Sequence, residues 1–150
     1  MKTNIIFIFL FVNLVSFAQG NRNMPTFDQM TERKWQEISD KAKLSDDEKK
    51  AVYPVFFEYE KSLFAINKIL WDKFRDVRQN KSNSENINFS EINDLYVNTE
   101  IKQAELLKNY HEKLQKLITP ETLFNYYLAE RNFKKNLMQN IPHNPNKTKK

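Results

Sequence analysis

A single glycine, Gly20, occurs among the 150 residues, and none follows it. Tight hairpins draw on glycine for their positive-φ positions, and phosphate-cradling loops need it where the backbone closes on the anion. A chain without it is steered away from hairpin-rich β structure and from Rossmann or P-loop nucleotide binding. The chain also has no cysteine. That excludes disulfides, thiolate metal sites, thiol nucleophiles and lipid attachment through a cysteine. Stability has to come from packing, and the apolar residues recur at helical spacing.

Four helical segments are legible, roughly Phe27 to Lys43, Ser45 to Gln79, Asn88 to Ile118 and Thr119 to Asn140. In the second, Val52, Phe56, Tyr59, Leu63, Ile66, Leu70, Phe74 and Val77 form one continuous stripe, the expected core face. The third answers with Ile92, Leu95, Tyr96, Leu106, Tyr110, Leu114 and Leu117. The expected fold class is therefore all-α, a long antiparallel helical hairpin with flanking shorter helices, its turn in the polar run Asn80 to Asn86. Pro54 lies well inside the second helix, where it removes a backbone donor and crowds the preceding turn, so a kink is expected near Val52 or Tyr53.

Two stretches mark helix starts, Leu44-Ser45-Asp46-Asp47-Glu48 and Ile118-Thr119-Pro120-Glu121-Thr122. A Ser or Thr oxygen accepts one of the unpaired donors of a first turn, and acids nearby favour the positive end of the helix dipole. Ser45 with Glu48 makes a capping box, and Pro120 suits the first helical position after Thr119.

The N-terminus carries the marks of an export signal: Lys2, an apolar run from Ile5 to Phe17 broken only by Asn13, and small residues at Ser16 and Ala18. Cleavage is expected after Ala18, because the run is shorter than the ~20 residues of a membrane-spanning helix. An uncleaved anchor is the alternative. The expected organisation is a signal peptide over 1–18, a linker over 19–26, one all-helical domain over 27–140 and a disordered basic tail over 141–150. The chain has 24 basic and 19 acidic residues, and losing Lys2 lowers the surplus from five to four. Because the charges are interspersed and export removes the usual partner, nucleic acid is not expected. The surplus could favour acidic client segments or an anionic membrane surface. The ending Lys147-Thr148-Lys149-Lys150 adds to the latter, so a structural or membrane-surface role is a third class.

Tyr53, Phe57, Phe64 and Trp71 make a second apolar stripe on the second helix, roughly 110° from the first. It can pack on the first helix through Trp35 and Ile38, or on the fourth through Phe124, Tyr127 and Leu128. It can equally form a homodimer seam or an exposed client-binding surface. Lys61, Lys68 and Arg75 would add long-range attraction there. Chemistry-bearing groups are sparse. His111 and His143 lack metal-ligand partners at useful spacing, and Glu58, Glu60, Glu100 and Glu105 read as ion-paired surface carboxylates. Ser90 and Thr119 have no local base. Neither catalysis nor a bound cofactor is expected.

From about Met30 to Asn140 the chain resembles the Spy/CpxP family of small exported bacterial proteins, named for a leucine-threonine-x-x-glutamine motif that opens helices. Leu44, Ser45 and Glu48 stand for the first copy, and Ile118, Thr119 and Thr122 for the second, each departing at the final residue. Val52-Tyr53-Pro54-Val55-Phe56-Phe57-Glu58-Tyr59-Glu60 resembles a proline-aromatic run in relatives described as sensors linked to extracytoplasmic sigma factors. The resemblance implies a thin, curved homodimer in the periplasm that holds unfolded or misfolded proteins without ATP as part of the envelope stress response. In some members it implies damping of a membrane stress sensor or anti-sigma partner. Zinc binding by histidine-rich segments, known in some relatives, is not carried over.

Overall fold

In the computed structural model, residues 25–79 and 87–139 are described. The leader, most of the 19–26 linker, the polar run at 80–86 and the basic tail lie outside them. The described chain is all-helical: α1 (Phe27–Lys41), α2 (Asp46–Gln79), α3 (Phe89–Leu114) and α4 (Pro120–Gln139).

Each helix opens on a side-chain oxygen. Thr26 and Gln29 form a reciprocal capping box on α1, with Oγ1 accepting from the Gln29 amide at 3.3 Å and Gln29 Oε1 accepting from the Thr26 amide at 2.9 Å. Ser45 and Glu48 do the same on α2, at 3.3 and 2.8 Å. Asn88 Oδ1 accepts from the Glu91 amide at 3.2 Å on α3, and Thr119 Oγ1 from the Thr122 amide at 3.2 Å on α4. α3 stops at Leu114, four residues short of expectation. Pro120 disfavours the helical conformation at Thr119, and the chain before it tightens into turns, with the Lys116 and Leu117 amides bonding to Lys113 and Leu114.

Between α1 and α2 the chain reverses without glycine. The Lys43 amide donates to Asp40 and the Leu44 amide to Ser39, the pattern of a Schellman motif, and Lys43 takes φ 56° at the position where glycine is usual. Leu44, just past it, is buried in the core, which holds the corner in place.

α2 and α3 run in opposite directions along one another. Glu58 pairs with Lys113, Tyr59 stacks on Tyr110, Asn67 bonds Gln103 and Lys73 lies 4.0 Å from Glu91. Pro54 sits inside α2, and its missing amide leaves the Lys50 carbonyl without its usual donor. The continuous core lies where four helices meet: Trp35 and Ile38 of α1, Val52, Phe56 and Tyr59 of α2, Tyr110 and Leu114 of α3, and Leu123, Tyr126 and Ala129 of α4. Farther along, α2 and α3 have mainly each other. Leu70, Ile92 and Thr99 are buried there. Phe74 and Tyr96, expected in the core stripe, are 36% and 48% exposed because a two-helix layer has no third element to close over them.

Lys43 is the position where one substitution should stabilise the chain. Lys43→Gly relieves the left-handed strain at small entropic cost, and a gain of about 0.5–1 kcal/mol is expected as a higher urea midpoint with an unchanged slope.

Candidate functional site

The second aromatic stripe forms a continuous ladder of rings across α1 and α2. Trp35 lies 5.2 Å from Phe56 and 5.3 Å from Tyr53, and Tyr53 lies 6.2 Å from Phe57. Phe27 bridges Phe57 at 6.3 Å and Phe64 at 4.9 Å, and Phe64 meets Trp71 edge-on at 6.1 Å. Burial falls steadily along it. Phe56 is 1% exposed, Tyr53 and Phe57 are half-buried against α1, and Phe64 and Trp71 are 39% and 53% exposed. Tyr53 is further held by its hydroxyl, which donates to Glu32 at 3.1 Å. The first half of the stripe therefore packs on α1 through Trp35, and the second half faces solvent. Phe124 and Leu128 of α4 do not cover it; both lie on that helix's outer side.

Phe64 and Trp71 line a groove of ≈ 250 Å³ between α1, α2 and α4, together with Phe27, Leu63, Phe133 and Leu137. Lys34 and Glu60 also line it, and these two belong to a buried ion cluster absent from the sequence reading. Lys34 Nζ lies 2.7 Å from Glu60 Oε1 and 2.8 Å from Glu130 Oε1, tying α1 to α2 and α4 at one point. Burial alone would lower the Lys34 pKa, but the carboxylates of Glu130 and Glu60 outweigh it and raise it above its ordinary 10.5. Glu60, expected as an ion-paired surface carboxylate, is ion-paired, but it is largely buried and its partner lies on another helix. The signal was available in α1, where Lys34 shares a face with Thr31, Trp35 and Ile38, all buried.

Beside the cluster, Tyr59 stacks on Tyr110 at 4.1 Å, and the Tyr110 and Tyr126 hydroxyls share a 2.6 Å hydrogen bond. Burial raises all three hydroxyl pKa values, and that of the neighbouring Tyr127 is pushed up to about 12. His111 Nδ1 bonds the Tyr127 hydroxyl at 2.9 Å. No group of three or more acidic or imidazole side chains placed to hold a metal occurs among the described residues.

Of the basic residues expected along the stripe, Lys61 is exposed. Lys68 and Arg75 both engage Asp72, the latter at 2.8 Å, and the Lys68 hydrogen bond holds the Asp72 carboxyl below its usual range. The helix-start residues lie away from the groove: Leu44 and Ile118 are buried at the two corners, Ser45, Glu48 and Thr119 serve as caps, and Thr122 supplies the amide whose hydrogen bond Thr119 accepts. No described helix is long and apolar enough to cross a membrane. Compared with protein-family models, curated proteins and solved structures, the chain matches none of them.

Lys34→Met leaves Glu60 and Glu130 facing each other without a counter-charge, and a loss of about 3 kcal/mol is expected in urea denaturation. Replacing all three with apolar residues of similar volume should restore most of it. In the parent chain the raised Lys34 and tyrosine pKa values favour the protonated forms in the folded state. Their contribution is complete below about pH 10 and declines as pH rises through the folded values, so the melting temperature should fall above pH 10.

Proposed function

We propose that this chain is an exported, ATP-independent chaperone-like binding protein of Spy/CpxP type, working in the bacterial envelope and holding unfolded or misfolded segments on its aromatic and basic surface. The carrying observation is that Phe64 and Trp71 remain exposed on the wall of a groove while being the outer end of a ring ladder rooted in the core. Exposed apolar surface of this kind marks interaction sites, and rings held in place from beneath lose little freedom on binding. Interleaved Lys61, Lys68 and Arg75 keep the face soluble and bias it toward segments with acidic flanks. The family resemblance adds the rest of the reading: the α2–α3 pair as a kinked hairpin within a curved homodimer, cleavage after Ala18, and a periplasmic location. No enzymatic step is part of this function.

Light scattering of an aggregating client measures it directly. Several-fold molar excess of the chain should suppress aggregation, and the Phe64→Ser, Trp71→Ser double variant should lose most of that effect. Phe64 gives up its contact with Phe27, so a stability loss of about 1–2 kcal/mol is expected, and a urea titration of the double variant checks that it remains folded. Failure of the parent chain to suppress aggregation would end the proposal. In a pull-down from envelope extracts, many weakly held proteins are expected. One saturable partner would instead support the sensor role suggested by the proline-aromatic run.

A further inference from the structure

On the other side of the ion cluster lies a larger groove of ≈ 560 Å³, between α2, α3 and α4. It falls within the ~300–1,000 Å³ range of small-ligand clefts. Tyr59, Ala104, Leu107 and Tyr127 make its apolar lining, and Lys108, His111 and Lys134 bring basic groups to it. Its one carboxylate, Glu130, already has its Oε1 on Lys34 at 2.8 Å. Lys108 has only a 4.0 Å contact to Glu112, and Lys134 has no acid within salt-bridge distance among the described residues. The groove therefore joins a hydrocarbon-lined interior to ammonium groups that the fold leaves largely uncompensated.

We infer that this groove binds a free fatty acid, the alkyl chain lying along Tyr59, Ala104 and Leu107 and the carboxylate meeting Lys108, Lys134 and His111. Charge complementarity selects the head group, since a carboxylate gains charge-assisted hydrogen bonds from lysine that a neutral or cationic head cannot make. Burial of a flexible chain against Leu107 and the tyrosine faces supplies the rest. His111 is suited to such contact. Its Nδ1 is held 2.9 Å from the Tyr127 hydroxyl, which fixes the ring on the groove wall, and in the tautomer that accepts that hydrogen bond Nε2–H is the donor. This site shares Lys134 but no aromatic residue with the Phe64–Trp71 groove, and it does not depend on the client-binding reading.

The chain has two histidines, so labelled imidazole gives two NMR signals, and a His143→Gln variant assigns the His111 one. Dodecanoate, added below its micelle concentration, should shift the His111 signal saturably with a Kd on the order of 100 µM. Lys134→Glu should weaken binding about tenfold or more, and Leu107→Asp should abolish the saturable shift; both positions are well exposed, so neither change removes a core side chain. Dodecyltrimethylammonium, with the same chain length and opposite charge, should bind at least tenfold more weakly. The proposal is overturned if His111 does not respond up to about 1 mM ligand, if the two head groups bind equally, or if neither variant changes the titration. Dodecanoate that quenches tryptophan fluorescence without moving His111 has entered the Trp71 groove instead, and that outcome also overturns it.

Discussion

The position of α1 and α4 on the long helices depends on one buried ammonium. Lys34 is the only contact group described that reaches both Glu60 of α2 and Glu130 of α4, and its side chain is 8% exposed. Apolar burial is non-directional and scales with area, so it sets registry less sharply than a paired charge does. A one-turn slip would strand Lys34 or leave two carboxylates unpaired in a low-dielectric setting, at a cost of several kcal/mol. The cluster contributes little net stability relative to a well-packed apolar set, and its effect is to fix registry. The Tyr59–Tyr110 stack and the Tyr110–Tyr126 hydrogen bond reinforce the same level of the structure from the α3 side.

Much of the architecture was legible because local signals agreed. Ser45, Glu48, Thr119 and Pro120 announced two helix starts through capping chemistry, and the stripe through Val52, Phe56, Tyr59 and Leu70 announced the buried face of α2. What escaped notice depended on which elements meet. Phe74 and Tyr96 carry the same periodicity as Phe56 and Tyr110, yet periodicity identifies a face without saying whether anything covers it. Lys34 is illegible for the opposite reason, since a lysine on an apolar face is usually one whose stem lies flat while its head reaches water. Only the convergence of two acids distant in sequence makes its burial tolerable.

The aromatic surface follows the same logic. One helix, α1, is too short to cover the whole second stripe of α2, so its fifteen residues shield Tyr53 and Phe57 and leave Trp71 beyond its start. The gradient from Phe56 to Trp71 is therefore set by helix length. The ion cluster lies between this groove and the one lined by Tyr59 and Leu107, with Lys34 and Glu60 on one side and Glu130 on the other, and Lys134 borders both.

The two-helix stretch lies apart from the four-helix core. Its interior is a single seam, with Leu70, Ile92 and Thr99 as its most protected residues, and none of these belongs to the main apolar cluster. Opening that seam uncovers no part of the cluster around Tyr126 and Ile38. Amide protons there will exchange by local opening at a small fraction of the global unfolding free energy. Trp71 adjoins Leu70 in this stretch, so such an opening would carry the outermost ring with it while the rings nearest Phe56 stay seated.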